Sequence, residues 1–291
     1  MRILISVILL ATPLLAQTAL ERRIAALAMD AQGQVAVACS LAGTALNCDL
    51  RPHAHPPMQS VFKLPLAIVA LHMVEDGKLS LDQFVRFQAS DRILPRTYSP
   101  LQDRYPAADV DLPLGELLRM AVSLSDNVAA DVVLRTIGGP AVVDAYFRAS
   151  GGFHLEDNEA GLHRDVAAQY RNWWEPAAAV ALLRRLDEDS PLTAAHTALL
   201  LGWMRESPTG AHRIKGALPA GTVVWHKTGL SFTDDGLTHA TNDIGLITLP
   251  DGRRLAIAIF VTDSKADEAT RESVIARIAR AAYDAAVADG K

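Results

Sequence analysis

Three short motifs in this chain group the side chains that nucleophilic catalysis needs. They are Ser-Val-Phe-Lys at 60–63, Ser-Asp-Asn at 125–127 and Lys-Thr-Gly at 227–229. A serine hydroxyl is a weak nucleophile until a neighbouring base takes its proton. Because helical residues three positions apart share one face, the amine of Lys63 can reach the hydroxyl of Ser60. The first motif therefore predicts an activated serine that attacks a carbonyl carbon.

The co-occurrence of the three motifs is stronger evidence than any one of them. A serine three residues before a lysine is commonplace, and its ordinary interpretation is a helix start beside a solvated charge. Lysine is scarce here, however, with only six in the chain. We expect roughly 0.3 random Ser-x-x-Lys matches and about 0.02 for each other motif, a joint probability on the order of one in ten thousand. We therefore interpret the motifs as parts of one site.

The local sequence predicts that Ser60 lies at the start of a helix. Pro65 is tolerated only near a helix start, which supports a beginning close to Ser60. At that position the positive end of the helix dipole and the free backbone N–H of Ser60 can face a developing oxyanion. Ser60 is thus expected to supply both the nucleophile and a hydrogen-bond donor.

The other two motifs supply groups for proton transfer and anion binding. Ser125 and Asn127 interrupt an apolar helical pattern, so Ser125 can pass a proton to a leaving nitrogen and Asn127 can bind an amide. Lys227 and Thr228 follow an apolar strand, where they suit a carboxylate, and Gly229 permits close backbone approach. Taken alone, these motifs would indicate a turn or helix cap and a solvated strand end.

The elements around the motifs predict a mixed fold. Helical periodicity at 20–29 is followed by strands, the segment 61–204 is mostly helical, and strands return beyond Pro208 before a helix at 268–288. The simplest packing is an antiparallel sheet flanked by the terminal helices, with the helical block inserted as a second lobe. The fold class is α/β (α+β), with a signal peptide at 1–16, an α/β lobe at 17–60 and 206–291, and an all-helical lobe at 61–205.

The first sixteen residues predict export. A charged start, a short apolar run and small residues up to Ala16 are typical of a secretory signal peptide. The apolar run is too short for a comfortable membrane span, and no later stretch is expected to cross a bilayer. We therefore expect a periplasmic or secreted protein with no membrane attachment after cleavage near Ala16.

Cys39 and Cys48 lie on a predicted hairpin. Alternating apolar residues put both on the buried face, and a turn at 43–44 pairs residue 39 with 48, 41 with 46 and 37 with 50. This register brings the sulfur atoms within bridging distance. Secretion permits oxidation but does not establish the register, so a disulfide and two buried thiols remain equal alternatives.

Charge and composition point to a small soluble substrate. Half of the residues are apolar, the formal net charge is -5, and Lys and Arg are scattered along the chain. This distribution argues against a nucleic-acid partner or an anionic membrane surface. His53, His55 and His226 lack partners with ligand spacing, so we expect neither a metal nor another cofactor.

Longer segments around the motifs resemble the class A serine β-lactamases, and among them the PER- and VEB-like branch. The segments are 59–65, 125–129, 219–224, 226–229 and 240–245. The motif triplet is the pattern of β-lactamases and penicillin-binding proteins. The resemblance implies the fold of those proteins and a monomer that hydrolyses the β-lactam ring of penicillins, cephalosporins or both through a serine acyl-enzyme, which confers antibiotic resistance.

The resemblance also requires a glutamate that activates the hydrolytic water. Two candidates follow the Ser-Asp-Asn motif: Glu159, and Glu175 before a proline. Because 169–173 resembles the branch's sequence downstream of the catalytic loop, we assign the role to Glu159. His163 then replaces the asparagine usual elsewhere in the class. A solvated loop acid and a packed histidine are the alternatives.

Four more residues follow from the resemblance. Arg213 matches the position from which the branch supplies an extra cation to the substrate carboxylate, unless it is a surface arginine. Tyr98 is either an aromatic wall of the cleft or a core residue. Leu230 retains the backbone N–H that serves as the second hydrogen-bond donor to the oxyanion. It lacks the side-chain hydroxyl usual at this position, which predicts weaker substrate binding. Phe232 replaces a usual glycine and predicts a reshaped cleft edge, which leaves the substrate spectrum open.

Three rival functions stay open on the sequence. A penicillin-binding D,D-peptidase or esterase would share the three motifs but lack the deacylating acid, so Glu159 discriminates against it. A β-lactam sensor would remain acylated, and such sensors are usually attached to transmembrane segments. An impaired enzyme, with a fold that binds substrate poorly because of Leu230 and Phe232, is the third.

Overall fold

The computed structural model describes residues 17–93, 95 and 97–289, and the predicted signal peptide at 1–16 lies outside them. The helices are α1 Ala19–Ala28, α2 Lys63–Glu75, α3 Pro100–Arg104, α4 Leu114–Ser123, α5 Asn127–Ile137, α6 Pro140–Phe147, α7 Glu159–Leu162, α8 Pro176–Glu188, α9 Ala194–Arg205 and α10 Glu268–Asp289. The strands are β1 Gln34–Leu41, β2 Phe84–Phe87, β3 Val110–Pro113, β4 Phe153–His154, β5 Trp173–Trp174, β6 Val224–Leu230, β7 Thr233–Asp234, β8 Leu237–Thr248 and β9 Arg254–Ser264. Across these ranges, none of the helices is long and apolar enough to cross a membrane.

An antiparallel sheet joins the two ends of the chain. Its strand order is β1-β9-β8-β6, and β7 folds back onto β8. A turn at 250–252 reverses the chain between β8 and β9. Strand β6 pairs only with β8 in this order, so its other edge is left open for the site described below.

Alternation along β9 sorts side chains into two hydrophobic cores. Ala256, Ala258 and Phe260 belong to one core, whereas Ile257 and Ile259 belong to the other, because successive strand residues point to opposite faces. The terminal helices α1 and α10 cover the second face, and the first face packs against α2, α4, α5, α8 and α9. The sheet therefore separates the terminal helices from the helical block.

Helix α2 runs through the centre of the helical block. Residues 63–71 are all buried, which is typical of a helix enclosed by others on every side. A 3₁₀ turn at Gln59–Phe62 precedes the helix and contains Ser60. Pro65 lies in the first turn of α2, where its missing N–H leaves no internal hydrogen bond unmade. A rigid buried element thus carries the first motif.

The predicted fold class is confirmed, with corrections to individual elements. The segment predicted to be mostly helical, 61–204, corresponds to α2 to α9. The apolar strand predicted to end before the Lys-Thr-Gly motif instead begins at Val224 and continues through the motif to Leu230. The polar motif belongs to the strand because β8 pairs with it along its whole length.

The region 61–205 is not purely helical. It contains the two-stranded sheets β2–β3 and β4–β5, which hold the connections between helices. These strands are only two to four residues long, too short to give a clear alternating pattern in the sequence. The division of the chain into lobes at these boundaries remains a prediction.

The predicted hairpin after β1 forms only in part. Residues 42–49 form no strand, and Val37 and Leu50 make an isolated bridge. The side chains of Thr44 and Asn47 accept hydrogen bonds from the backbone of their own segment, which competes with strand pairing. The predicted opposition of residues 37 and 50 is nevertheless confirmed.

Cys39 and Cys48 form a disulfide, which decides between the two alternatives. Their Cα atoms are 5.7 Å apart, nine positions apart in the chain. Both residues are buried in the core beneath the terminal helices. The bond therefore joins β1 to the segment that returns beside it.

Replacing both cysteines by serine should destabilise the protein. Closing a loop of this length restricts the unfolded chain, and its removal costs about 2–3 kcal/mol. We expect a lower urea midpoint for the Cys39→Ser/Cys48→Ser variant than for the oxidised protein, measured by circular dichroism. Reductant should lower the midpoint of the unsubstituted protein but not of the variant, and coincident midpoints throughout would contradict the prediction.

Candidate active site

Ser60, Lys63 and Glu159 form a triangle of short contacts. Lys63 Nζ lies 2.8 Å from Ser60 Oγ and 2.8 Å from Glu159 Oε1. Ser60 Oγ donates to the same Glu159 oxygen at 3.1 Å. The hydroxyl proton of Ser60 therefore points at the carboxylate while the ammonium donates to the hydroxyl oxygen. The turn before α2, helix α2 and helix α7 thus bring a nucleophile, a cation and a base together.

Oxygen atoms enclose the Lys63 ammonium. The side chain is fully buried, and Nζ also donates to the Ser125 carbonyl at 2.8 Å and to Asn127 Oδ1 at 2.5 Å. An unpaired ammonium in the interior would cost several kcal/mol, which these oxygens offset. The same contacts join the first motif to the second and to the loop that carries Glu159.

Two backbone features bring the nucleophile against the sheet. Gln59 has a left-handed φ of 46°, and its buried amide donates to Gln169 Oε1 at 2.9 Å. A Cβ atom at Gly229 would lie 2.6 Å from the carbonyl oxygen of Met58, so only glycine fits there. This close approach sets the end of β6 beside Ser60.

Ser125 and Lys227 form a second hydrogen-bonded pair. Ser125 has a φ of 60° in the connection between α4 and α5, and its Oγ accepts from Lys227 Nζ at 2.8 Å. Burial lowers the pKa of Lys227 well below its ordinary value, and the positive charge of Lys63 adds to the effect. A bound carboxylate would favour the charged form of Lys227. The position suits an anionic substrate group.

The open edge of β6 presents the backbone N–H of Leu230. Ser231 N donates to the Ala240 carbonyl at 3.0 Å, so these two residues form a hydrogen-bonded pair of the ladder. Such pairs alternate with non-hydrogen-bonded pairs, and Leu230 opposite Thr241 is one of the latter. The N–H of Leu230 therefore points away from β8, on the edge beside Ser60.

Arg213 is buried beside the end of β6 and is not a surface arginine. Its Nε donates to Glu272 at 3.0 Å, and Nη1 donates to the carbonyls of Gly229 and Asn242 at 3.1 Å each. Glu272 offsets part of its charge. Arg213 and Thr228 both line the same cavity, so the guanidinium adds positive potential at the Lys-Thr-Gly end.

Asn158 and Asp131 hold Glu159 in place. Asn158 caps α7 by accepting from Gly161 N at 3.0 Å. The carboxyl of Asp131, on α5, accepts from the backbone of Glu159 at 2.7 Å and of Ala160 at 2.9 Å. Burial, with the negative charge of Glu159, raises the pKa of Asp131 to about 7 against the opposing effect of these hydrogen bonds. Asp131 therefore binds a proton near neutral pH.

The other candidate acid, Glu175, lies elsewhere. Its carboxylate contacts His53 Nδ1 at 2.8 Å and His55 Nε2 at 3.3 Å, at the start of α8. His226 is likewise engaged, with Nδ1 2.9 Å from Asp243 Oδ1. The geometry thus favours Glu159 as the acid of the site. Within the described ranges, no group of three or more His, Cys, Asp or Glu side chains is placed to hold a metal ion.

His163 and Tyr98 lie on the wall opposite the sheet. His163 Nε2 is 3.3 Å from Thr97 Oγ1, which also accepts from Asn127 Nδ2 at 2.7 Å. Tyr98 is 58% exposed and lines the cavity. Of the two interpretations from the sequence, the structure shows the cleft position for Tyr98, and His163 is part of a polar network with Asn127.

One cavity of about 640 Å³ is lined by most of the predicted site residues. Those that line it are Ser60, Ser125, Asn127, Glu159, His163, Arg213, Thr228, Leu230 and Tyr98. Lys63, Lys227 and Gly229 lie beneath its surface. Sequence reasoning missed Gln59, Thr97, Asp131 and Gln169. Asp131 had a usable signal, because it follows Asn127 by four positions on a helix and so shares its face.

Replacing Asp131 by asparagine should change how stability depends on pH. Because the folded-state pKa is raised, the folded protein retains a proton that the unfolded chain has lost, so this group's contribution falls as pH rises from about 4 to 7. From pH 5 to pH 8, the free energy of unfolding should fall further in the unsubstituted protein than in Asp131→Asn. The difference between the two decreases should be at least about 1.4 kcal/mol. Urea titrations at both pH values measure this difference, and parallel losses would contradict it.

Comparisons with known proteins agree with this geometry. A family model described as "Beta-lactamase enzyme family" matches residues 19–286. Extended-spectrum beta-lactamase PER-1 of Pseudomonas aeruginosa is 43% identical over 236 residues, 80% of this chain and 76% of that protein. Beta-lactamase VEB-1 of the same organism is 36% identical over 234 residues, 79% and 78% of the two chains.

Two solved structures show that the similarity includes the fold. A beta-lactamase from Chitinophaga pinensis superposes with a TM-score of 0.88 at 43% identity, covering 92% of this chain and 100% of that chain. The TLA-3 extended-spectrum beta-lactamase superposes with the same TM-score at 36% identity, covering 92% and 98%. Family model, relatives and neighbours together show that the chain belongs to the β-lactamase enzyme family, in its class A serine group.

Proposed function

We propose that the chain hydrolyses the β-lactam ring of penicillins, cephalosporins or both through an acyl-enzyme on Ser60, and so confers antibiotic resistance. The observation that carries the proposal is the position of Ser60 Oγ, 2.8 Å from Lys63 Nζ and 3.1 Å from Glu159 Oε1. A nucleophile in contact with both an amine and a carboxylate has a base that can take its proton during attack. The carboxylate is then available to activate the water that hydrolyses the acyl-enzyme.

The substrate carboxylate binds at the Lys-Thr-Gly end of the cavity. The hydroxyl of Thr228 binds the anion at the cavity surface, and the charges of Lys227 beneath it and of Arg213 beside it attract the carboxylate. The lactam carbonyl then lies over Ser60. Its oxygen is placed between the backbone N–H groups of Ser60 and Leu230, which stabilise the negative charge that develops during attack.

Acylation transfers the acyl group from nitrogen to oxygen. Ser60 Oγ bonds to the carbonyl carbon as its proton leaves to Glu159, or to Lys63 once the ammonium has passed a proton to Glu159, 2.8 Å away. The carbon–nitrogen bond of the ring breaks, and Ser125 delivers a proton to the ring nitrogen. One ester bond is formed and one amide bond is lost, with the serine proton passed on to nitrogen.

Deacylation uses the base that remains beside the ester. Glu159 takes a proton from water, and the resulting hydroxide attacks the ester carbon. The Ser60 oxygen leaves and recovers its proton, which releases the ring-opened acid. The buried contacts of Asp131 with the backbone of Glu159 keep the carboxylate aimed at this position.

We also propose a secreted or periplasmic monomer that acts on small molecules and not on nucleic acid. The signal-like sequence at 1–16 and the scattered basic residues support this proposal. The disulfide between Cys39 and Cys48 suits an oxidising compartment.

Glu159→Gln should convert turnover into a single acylation. Lys63 in its neutral amine form can still take the Ser60 proton, so the ester forms. An amide takes no proton from water, however, and deacylation should slow by about 10²- to 10⁴-fold. We would incubate the purified protein with a chromogenic cephalosporin and follow colour and intact mass. Unsubstituted protein should give sustained colour, and the variant a burst with a persistent mass adduct.

Glu175→Gln is the matched control, because it removes the other candidate acid. It should turn over like unsubstituted protein. Full turnover by Glu159→Gln would overturn the role of Glu159. A burst and a lasting adduct with the unsubstituted protein would indicate a sensor or a D,D-peptidase instead of a hydrolase.

A further inference from the structure

Tyr170 joins the loop that carries Glu159 to two strands of the sheet. It ends the 3₁₀ turn Ala167–Tyr170, which follows α7 in the chain. Its hydroxyl donates to Asp263 Oδ1 on β9 and lies 2.7 Å from His239 Nδ1 on β8. We call these three side chains the tyrosine anchor. The anchor lies behind the loop, and the cavity described above is lined by other residues.

The chemistry of the three groups fixes the direction of both hydrogen bonds in the tyrosine anchor. A carboxylate only accepts, so the single hydroxyl proton of Tyr170 lies in the bond to Asp263. His239 Nδ1 must then carry a proton and donate to the tyrosine oxygen. Burial and the hydrogen bond to Asp263 raise the pKa of Tyr170 above its ordinary value, so the hydroxyl keeps its proton. A bond from a hydroxyl to a carboxylate is of the stronger, charge-assisted kind.

The residue before Tyr170 connects the two sides of the catalytic centre. The amide of Gln169 is buried. Its Oε1 accepts from Gln59 Nε2 at 2.9 Å, and its Nε2 donates to the Leu162 carbonyl at 3.3 Å. Gln59 precedes the nucleophile, and Leu162 ends the helix that begins with the proposed catalytic acid. One amide group thus sets the spacing between the nucleophile turn and α7.

The part of the loop between α7 and the tyrosine anchor is open to solvent. Residues 163–167 are all exposed. The salt bridges of Arg164 and Arg171 both end on Asp157, which precedes α7 in the same loop. These ion pairs close the loop on itself, whereas the tyrosine anchor attaches it to the sheet. The position of Gln169 relative to the sheet therefore depends on Tyr170.

We propose that Tyr170 is a positioning residue for hydrolysis of the acyl-enzyme. The tyrosine anchor holds Gln169, and Gln169 holds the C-terminal end of α7, so that Glu159 keeps its place beside the ester. The nucleophile turn depends less on the anchor, because the close packing at Gly229 and the contacts of Lys63 hold it independently. This inference rests on the proposed β-lactam hydrolysis and adds a residue to its second step.

Tyr170→Phe tests the proposal, because it removes the hydroxyl and keeps the ring. His239 Nδ1 lies 3.6 Å from Asp263 Oδ1, so these two groups can pair directly and the sheet stays intact. With saturating enzyme and a chromogenic cephalosporin, colour gives the rate constant of acylation, and loss of the mass adduct after rapid quenching gives that of deacylation. The deacylation constant should fall about tenfold and the acylation constant should stay within about twofold.

Tyr146→Phe serves as the control, because Tyr146 on α6 is 36% exposed and Tyr170 is 37% exposed. It should change neither rate constant, and thermal unfolding establishes that each variant is folded. Gln169→Ala tests the route of the effect. Because Tyr170 acts through Gln169, adding Tyr170→Phe to Gln169→Ala should lower the deacylation constant by less than about twofold.

Three results would overturn the inference and leave the hydrolase function intact. They are a deacylation constant in Tyr170→Phe within about twofold of the original, a fall in deacylation that acylation matches, and a further fall of about tenfold in the Gln169→Ala background. A merely structural role of Tyr170 would give the second result, since it would affect both steps. Failure of the unsubstituted protein to open the ring would overturn this inference and the proposed function together.

Discussion

The buried ammonium of Lys63 is the interaction on which the site depends. A positive charge in a hydrophobic interior is tolerated only when oxygen atoms surround it. Here those oxygens come from the turn before α2, from the connection between α4 and α5, and from α7. Satisfying one charge therefore forces three elements, distant in sequence, into the arrangement that acyl transfer requires.

The second constraint is the close packing of the sheet edge against the nucleophile turn. The missing side chain at Gly229 lets β6 approach the Met58 carbonyl, and the strand register then directs the Leu230 N–H to the open edge. Above this fixed base, Asp131 and Asn158 hold the acid from the helical side. The groups proposed for binding, attack and hydrolysis are thus anchored in rigid structure, which favours preorganised catalysis.

The sequence predicted best what is local along the chain. The spacing of Ser60 and Lys63 and the periodicity of α4 and α5 follow from helix geometry alone. The extent of β6 does not follow from the local sequence, because pairing with β8 determines where the strand begins and ends. The role of Asp131 was missed because its contact with Glu159 spans 28 positions. The choice between Glu159 and Glu175 required the family resemblance, because composition alone does not distinguish the two acids.

The lack of room for a side chain at Gly229 also limits how such a cavity can adapt to new drugs. Any side chain at that position collides with the carbonyl of Met58, so a substitution there would have to shift the turn that carries Ser60. Leu230 and Phe232, which are both exposed at the rim, carry no such penalty. Under antibiotic selection, evolutionary change is thus channelled away from the glycine and toward its two exposed neighbours.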